Sequence, residues 1–441
     1  MLPLYLLKPH PALDQTRELF HRGLPTPGDH PLTSGPPMQI KVPLEPRRLL
    51  FVDHVSKVLG GAEVNLVELL GLPAARERWQ VAVACAPGSA LGAALEKIGV
   101  RCFTYGLAPV LNELRVVGQS FQPLAKLRGW RELRNAETRL GEILSEFRPD
   151  AVISCTNKDH FAAGAAARAG GIPSLWWVND LMTRDFFSWA VRKVFVRRAE
   201  STATRLLPVS DAARRALLDG GVSPARITTI FNGIPLDRYQ ASSSRLLREQ
   251  LRLTDREPLF GIVGRITAWK GQDLFVQIAR QWSEAGRAGH FAIIGRAFNE
   301  DAPFEATLKE EIRRAKLGNR VSFVPFQSDI VTALSSLDVL LHCSIRPEPF
   351  GRVIIEAMAV GVPVIAARAG GVPEIITENV DGSMLSPGHV PDYVQELNTL
   401  MTVPGRRESW IRAGRKKVAG RFTLDRVFRD FDRVLDEVVP R

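Results

Sequence analysis

Two glutamates stand on either side of a predicted helix start, Glu348 in the turn before the helix and Glu356 within it, with seven residues between them. At roughly 3.6 residues per turn, Glu356 lies about one and a half turns into the helix, so both carboxylates can border one ligand. The free N–H groups and positive dipole end of a helix start favour a phosphate. The alternative is a chance pair, one solvated loop glutamate and one on a helix surface.

Two cations follow the predicted strand Leu259–Val263. Arg265 and Lys270 lie in the turn between this strand and the next predicted helix. Arginine can hold two phosphate oxygens in a planar fork and lysine supplies a point charge, so the pair suits a diphosphate. The alternative is an ordinary charged turn on the surface.

Paired glycines follow the first predicted strand, at 49–55. Gly60 and Gly61 stand where the next helix opens. Because glycine has no Cβ atom, this turn lets the backbone approach a ligand closely. A tight turn without a ligand is the alternative.

Other nucleotide and metal chemistries lack their motifs. No two glycines are separated by a single residue, and no Gly-Lys pair occurs, so neither the dinucleotide fingerprint nor the phosphate-binding P-loop is present. The histidines form no HExxH pattern, and the Asp-x-Asp pair, Asp430 and Asp432, lies in a charged C-terminal helical stretch. We therefore expect no metal site and no cofactor.

The stretch around the two glutamates resembles the signature of retaining glycosyltransferases of family 4. The resemblance rests on the turn PEPFG at 347–351, the apolar helix after it, and the glycine pair at 370–371 followed by Pro373 and Glu374. It extends over residues from about 48 to 438. The fold it implies is α/β, two Rossmann-like doubly wound parallel-sheet domains facing across a cleft, the arrangement called GT-B.

The resemblance also implies roles for the site residues. Arg265, Lys270 and the helix start at Gly351 would hold the diphosphate of a nucleotide-sugar. Glu356 would accept hydrogen bonds from the ribose, and Glu348 from the transferred sugar. The predicted donor-binding residues are Gly60, Gly61, Gly264, Arg265, Lys270, Glu348, Phe350, Gly351 and Glu356, and the predicted catalytic residues are Glu348, Arg265, Lys270 and Asn179.

Asn179 marks a departure from the family pattern. Members of the family often carry a histidine after this strand of the first domain, lining the cleft near the donor sugar, and Asn179 stands at that place. Asparagine can donate and accept a hydrogen bond but cannot exchange a proton near neutral pH. The alternative is that Asn179 only bonds the backbone at the strand end.

Short apolar runs alternate with helical stretches along most of the chain, which indicates parallel, doubly wound sheets. Predicted strands of the first domain lie at 49–55, 81–84, 102–105, 151–155, 174–178, 206–209 and 227–231, and those of the second at 259–263, 291–294, 321–324, 339–341 and 364–366. The predicted segments are a Pro-rich arm at 1–46, an acceptor domain at 47–238, a linker at 239–257, a nucleotide-sugar domain at 258–422 and a helix crossing back at 423–441.

The chain has 441 residues, a net charge of +11 and four cysteines without a metal-ligand spacing. Its charge favours anionic partners, and the cysteines suggest buried thiols in a reducing cytoplasm. No apolar run reaches the ~18 residues of a membrane span. The basic amphipathic stretch at 186–198 could lie on an anionic membrane, or simply cover the sheet.

We expect a cytoplasmic, metal-independent, retaining glycosyltransferase that moves a sugar from a nucleotide diphosphate sugar to a glycan, lipid or small-molecule acceptor, and does not bind nucleic acid. Two alternatives stay open. One is a non-catalytic nucleotide-sugar-binding protein or partner subunit of the same fold. The other is an isomerase or hydrolase that consumes the nucleotide-sugar without an acceptor.

Overall fold

The computed structural model describes residues 45–55, 59–107, 123–240 and 244–439. The Pro-rich arm predicted at 1–46 therefore lies almost wholly outside the described residues. From Glu45 onward the described residues belong to one compact unit.

Twelve strands are present in the described chain, and all pair in parallel. They are β1 Arg47–Asp53, β2 Trp79–Cys85, β3 Arg101–Thr104, β4 Ala151–Ser154, β5 Ser174–Val178, β6 Arg205–Pro208, β7 Leu259–Val263, β8 His290–Ile294, β9 Val321–Val324, β10 Val339–His342, β11 Val364–Ala367 and β12 Ser383–Leu385.

Helices connect the strands. Those before β7 are α1 Gly61–Gly71, α2 Pro73–Arg78, α3 Ala90–Lys97, α4 Pro123–Phe147, α5 Asn157–Ala169, α6 Trp189–Thr202, α7 Asp211–Gly220, α8 Leu236–Gln240 and α9 Leu246–Gln250. Those after it are α10 Gln272–Glu284, α11 Ala302–Arg314, α12 Ile330–Ser335, α13 Arg352–Val360, α14 Val372–Ile375, α15 Val390–Thr402, α16 Arg406–Arg421 and α17 Leu424–Val438. Short 3-10 turns lie at Pro224–Arg226, Ala268–Lys270 and Asn299–Asp301.

The strands form two six-stranded sheets, ordered β3-β2-β1-β4-β5-β6 and β12-β11-β10-β7-β8-β9. In each sheet the chain winds outward in one direction, returns to the middle and winds outward in the other. The direction reverses between β1 and β4 in the first sheet and between β7 and β10 in the second. Such reversal points leave a crevice at the carboxyl ends of the strands, where ligands bind in this class of fold. The predicted pair of doubly wound α/β domains is confirmed.

The strand predicted at 227–231 is wrong. Ile227 makes only an isolated bridge to Leu206, although the N–H of Ile230 still donates to Pro208 O at 3.0 Å. Pro208, in the neighbouring strand β6, has no backbone N–H and cannot donate a hydrogen bond to this segment. A regular ladder of strand hydrogen bonds therefore cannot continue there.

A helix and a strand are among the elements that were not foreseen. The predicted linker contains the helix Leu246–Gln250, which buries Leu247 with 3% exposure. Strand β12 has three residues, too few to produce a readable apolar pattern.

The last helix packs against the first sheet. Thr423 caps its start and lies beside Ile234, whose N–H donates to Phe422 O at 3.0 Å. Further along the helix, the rings of Phe428 and Phe431 lie against Trp79 and Trp177, each at 4.9 Å between ring centroids. The C-terminal segment thereby ties the second domain to the first.

The basic amphipathic stretch covers the first sheet. Phe195, on helix α6, is buried with 1% exposure and meets the ring of Trp176 edge-on at 5.3 Å. Trp189 and Val194 on the same helix are 66% and 59% exposed. One side of the helix therefore belongs to the core, while the other carries apolar side chains into solvent.

Candidate functional site

An ion pair occupies the reversal point of the second sheet. Lys270 follows β7 and Glu348 follows β10, and Lys270 Nζ lies 2.5 Å from Glu348 Oε1. His342 Nε2 lies 2.9 Å from the same oxygen, and Ser344 Oγ donates to it at 2.5 Å. Burial alone would raise the pKa of Glu348, but Lys270 and His342 hold it well below its usual value. Glu348 is thus a fixed, buried anion that positions the lysine.

The turn that carries Lys270 is held close to β10 by backbone contacts. Gly271 has a φ of +74°, and a Cβ atom at this residue would collide with the carbonyl oxygen of Cys343. The N–H of Ile345 also donates to Trp269 O at 2.9 Å. A glycine at 271 is therefore required for the two loops to approach and for Lys270 to reach Glu348.

Arg265 lies in the same turn, but its side chain contacts a different set of residues from that of Lys270. Gly264 before it donates its N–H to Ile294 O at 3.0 Å. The arginine donates through Nε to Asp301 at 2.7 Å and through Nη2 to Glu300 at 2.8 Å, and its guanidinium lies over the Phe298 ring. Among the described residues its Nη1 group makes no hydrogen bond, so that group can still meet a phosphate.

Helix α13 begins directly after the Glu348 turn. Gly351 precedes it with a φ of +104°, a conformation that favours glycine, and no side chain caps the helix start. The ring of Phe350 does not line an open site: it is 3% exposed and packs against Phe422 at 5.7 Å. Phe350 thus anchors the turn from the core side.

Glu356 is already engaged through one oxygen. Its Oε1 accepts from Arg352 Nε at 2.7 Å and from the Tyr239 hydroxyl at 3.3 Å. The Oε2 atom has no hydrogen-bond partner among the described residues. It is the atom that could accept from a ribose hydroxyl.

Arg352 links the two domains. Its Nη2 donates to Glu68 Oε2 at 2.5 Å, and its Nη1 lies 3.4 Å from Asn65 Oδ1, both on helix α1. The glycine turn faces the same place, since a Cβ atom at Gly61 would lie 3.8 Å from Arg352 Cδ. Gly60 donates its N–H to Glu63 Oε2 at 2.7 Å. The paired glycines and the α13 start therefore lie together across the cleft.

Asn179 directly follows strand β5, and its side-chain amide nitrogen faces the backbone. Nδ2 is 3.2 Å from both Cys155 O and Trp177 O. These contacts use its donors and match the alternative role of bonding the strand end. The amide oxygen is the part of the side chain that could accept from a sugar hydroxyl.

A polar cluster lies at the reversal point of the first sheet and was not predicted from the sequence. His54 follows β1, and Asp159, on helix α5 after β4, lies 2.9 Å from its Nδ1. Asp53 and Glu63 lie nearby, and burial raises the pKa of each above its ordinary value. No motif marks these residues, because they are distant in sequence; only the strand order brings them together.

The Asp-x-Asp pair of the last helix is occupied by arginines. Asp432 accepts from Arg78 at 2.6 Å, and Asp430 lies 3.4 Å from Arg426. Within the described residues, no group of three or more histidine, cysteine, aspartate or glutamate side chains is placed to hold a metal ion. None of the described helices combines the length and apolar character needed to cross a bilayer.

Comparison with known families covers both halves of the chain. Residues 59–238 match the family described as Glycosyltransferase Family 4, and residues 243–417 match the family described as Glycosyl transferases group 1. The fold and the paired crevices define the class, a two-domain protein of the GT-B type. Within that class, the chain belongs to the group 1 glycosyltransferases, as the signature at 347–351 indicates.

Individual relatives are distant. The chain is 28% identical to a 2-deoxystreptamine glucosyltransferase of Streptomyces kanamyceticus, over 53% of this chain and 58% of that protein. It is 30% identical to the sulfoquinovosyl transferase SQD2 of Arabidopsis thaliana, over 62% of this chain and 54% of the relative. The chain thus spans little more than half the length of these curated relatives.

Among solved structures, the fold matches that of Anabaena HepE in complex with UDP and glucose. The TM-score is 0.75 at 25% identity, and the match covers 88% of this chain and 99% of the other. Both domains of the chain therefore have counterparts in one known protein.

Proposed function

We propose that the protein transfers a sugar from a nucleotide diphosphate sugar to a hydroxyl of a glycan, lipid or small-molecule acceptor. The observation that carries the proposal is the Lys270–Glu348 pair beside the uncapped start of helix α13, at the reversal point of the second sheet. A cation, free helix N–H groups and a buried carboxylate converge there. Together they offer contacts to both the diphosphate and the hydroxyls of a donor.

In this mechanism the charge on the leaving diphosphate is met by Lys270, by the Nη1 group of Arg265 and by the α13 helix start. These groups are fixed before reaction, so they stabilise the developing charge more than the ground state. Glu348 accepts from hydroxyls of the transferred sugar and Glu356 Oε2 from the ribose. The likeness to HepE, which was crystallised with UDP, makes uridine diphosphate sugars the first donors to test.

We propose retention of anomeric configuration, which rests on the family signature around Glu348. We also propose that transfer needs no metal. Lys270 and Arg265 supply positive charge at the diphosphate, and the carboxylates of the Asp-x-Asp pair, in the last helix, are committed to arginines.

We propose cytoplasmic action, with peripheral contact to an anionic membrane when the acceptor is a lipid. The exposed Trp189 and Val194 of helix α6 lie among Lys193 and Arg197, which are also exposed. Aromatic and basic groups on one face favour an anionic lipid surface. Flotation with phosphatidylglycerol vesicles tests this, and a Trp189→Ala/Val194→Ser variant should bind them less.

The test of the function is release of nucleoside diphosphate from uridine, guanosine and adenosine diphosphate glucose. Each donor is incubated alone and with 2-deoxystreptamine, inositol 3-phosphate or diacylglycerol vesicles. Release that depends on an acceptor, with a glycosylated product of retained configuration by NMR, is expected. Binding without release would indicate a non-catalytic binder, and rapid release from donor alone a hydrolase or isomerase.

A further inference from the structure

Glu374 contacts the first domain, although the proposed donor site makes no use of its side chain. It belongs to the short helix α14, directly after the glycine pair at 370–371. Its two carboxylate oxygens accept hydrogen bonds at 2.6 Å from the backbone N–H groups of Asp211 and Ala212, the first two residues of helix α7. The second domain therefore holds a helix of the first domain through both oxygens of one carboxylate.

The contact is electrostatically favourable for both partners. The first N–H groups of a helix have no partner within the helix, and they lie at the positive end of its dipole. Ser210 satisfies only the third group, since its Oγ accepts from the N–H of Ala213 at 3.0 Å. The side chain of Glu374 is only 10% exposed, and Arg215 Nη2 lies 3.7 Å from its carboxylate. A buried carboxylate and two helix N–H groups thus satisfy each other across the cleft.

Helix α14 is closely joined to the turn that carries Glu348. The N–H of Gly371, the residue before α14, donates to Glu348 O at 2.9 Å, and a Cβ atom at Gly370 would collide with the same oxygen. The N–H of Glu374 in turn donates to Gly371 O at 3.0 Å. A shift of Glu374 relative to helix α7 would therefore move the Glu348 turn as well.

A separate contact joins the two domains at another helix of the first domain. Arg352, at the start of helix α13, contacts Glu68 and Asn65 of helix α1. Helix α1 follows β1 and helix α7 follows β6, and these strands are three positions apart in the first sheet. At about 4.8 Å between neighbouring strands, the separation is roughly 14 Å. Two contacts this far apart restrict rotation of one domain against the other more than either contact does alone.

We propose that Glu374 is a positioning residue for sugar transfer. Its contact with the start of helix α7 keeps the Glu348 turn of the second domain aligned with the acceptor crevice of the first. The inference rests on the proposed function, in which the donor is held by the second domain and the acceptor by the first. Transfer then requires one relative placement of the domains, and a misplacement of about 1 Å can cost about a hundredfold in rate.

The kinetic experiment compares full-length wild type with Glu374→Ala and Glu374→Gln, using the donor and acceptor pair from the panel above that the wild type turns over fastest. We expect Glu374→Ala to lower kcat at least about tenfold. UDP affinity and the number of UDP sites per chain, both measured by calorimetry, should stay within about twofold, because the groups proposed to bind UDP lie in the second domain. Glu374→Gln keeps one acceptor oxygen, so its kcat should fall less, by about threefold or more.

Amide hydrogen exchange, resolved to single residues, reports the contact itself. In Glu374→Ala the N–H groups of Asp211 and Ala212 should exchange at least about tenfold faster than in the wild type. The N–H of Ala213 should keep its protection, because its acceptor Ser210 belongs to the first domain. Unchanged exchange at Asp211 and Ala212 would overturn the proposal. Faster exchange along the whole of helix α7 would also overturn it, since Glu374 would then serve only to stabilise that helix.

The matched control is Glu200→Ala. Glu200 Oε1 accepts from the backbone N–H of Ser223 at 2.8 Å, and both residues lie in the first domain. This variant loses the same kind of hydrogen bond without loosening the domains, so its kcat should stay within about twofold of wild type. An equal loss of kcat in Glu200→Ala and Glu374→Ala would contradict a positioning role.

A kcat within twofold of wild type in Glu374→Ala, or in Glu374→Gln if the alanine variant does not fold, would overturn the proposal and leave the proposed function intact. Parallel loss of UDP affinity and kcat would also overturn it, since the residue would then serve donor binding. A wild type that turns over no donor with any acceptor contradicts both proposals together.

Discussion

At the scale of single residues, the site depends on charges that hold one another in place. Lys270 is fixed by Glu348, and Glu348 by His342 and Ser344, all through one carboxylate oxygen. Within the described part of the chain, the second oxygen of Glu348 and the other N–H groups of Lys270 make no hydrogen bond, so they can meet a ligand. A donor would therefore meet a lysine that is already oriented.

We expect Lys270→Ala and Arg265→Ala each to weaken nucleoside diphosphate binding by about 1.5 to 3 kcal/mol, the range for hydrogen bonds to charged groups. Calorimetric titration with UDP measures this. Lys309→Ala is the control, since Lys309 forms an exposed pair with Glu305 at the same 2.5 Å. Unchanged UDP affinity in both site variants would remove the diphosphate assignment.

Asn179→Ala should lower kcat/KM about tenfold or more, which corresponds to one lost hydrogen bond of ~1.4 kcal/mol in the transition state. UDP affinity should stay near the wild-type value, because the side chain lies in the first domain. The backbone contacts of Nδ2 predict a lower melting temperature as well. Normal kinetics with only that lower melting temperature would show that Asn179 serves the strand end alone.

The sequence allowed Lys270 and Glu348 to be predicted because each lies beside a motif and a strand end. It did not reveal the acidic partners of Arg265, since Asp301 follows a different strand. His54 and Asp159 were missed for the same reason: 105 residues separate them, and no local pattern signals their contact.

At the scale of elements, the start of helix α13 is the point where the two domains are joined through buried charge. The side chains of Arg352, Glu68 and Glu356 are only 8%, 12% and 10% exposed. The arginine compensates both carboxylates. Helix α13 thus carries one half of the proposed donor site and also fixes helix α1 of the first domain.

Arg352→Met should lower the free energy of unfolding by about 3 to 5 kcal/mol, because it leaves two buried carboxylates without a counter-charge. Urea denaturation measures this. Adding Glu68→Gln should recover part of the loss. The control is Arg280→Met, whose pair with Glu284 is exposed and should cost no more than about 1 kcal/mol. Equal effects of the two single arginine variants would contradict the assigned role of Arg352.

Most elements were predictable from their periodicity, and the exceptions have local causes. Buried parallel strands such as β5 read as continuous apolar runs. The stretch at 227–231 has the same appearance but lies beside a proline-ended strand. The three-residue strand β12 forms because it pairs with β11. This pairing is a tertiary contact, so the local sequence does not reveal it.

At the scale of the whole molecule, the fold brings two crevices together, one with fixed cations and one with a histidine among carboxylates. The final helix returns to the first sheet and buries Phe428 and Phe431 against it. The doubly wound topology was predictable from alternating strands and helices. The inter-domain contacts of Arg352 were not, because they depend on how two separate sheets face each other.

The positively charged side chains of the donor crevice predict that sugar transfer continues after treatment with EDTA. Lys270, the Nη1 group of Arg265 and the α13 helix start would bind the diphosphate without a divalent ion. The panel assay, repeated with EDTA and then with magnesium or manganese added back, measures this. Activity that is lost on chelation and rescued by either metal would contradict the metal-independent mechanism.

The most direct measurement is a crystal structure of the protein with UDP. We predict the diphosphate within hydrogen-bonding distance of Lys270 Nζ and the backbone N–H groups at the start of helix α13, with the ribose hydroxyls on Glu356. A diphosphate bound away from Lys270 and this helix start would contradict the central claim that the reversal point of the second sheet is the donor site.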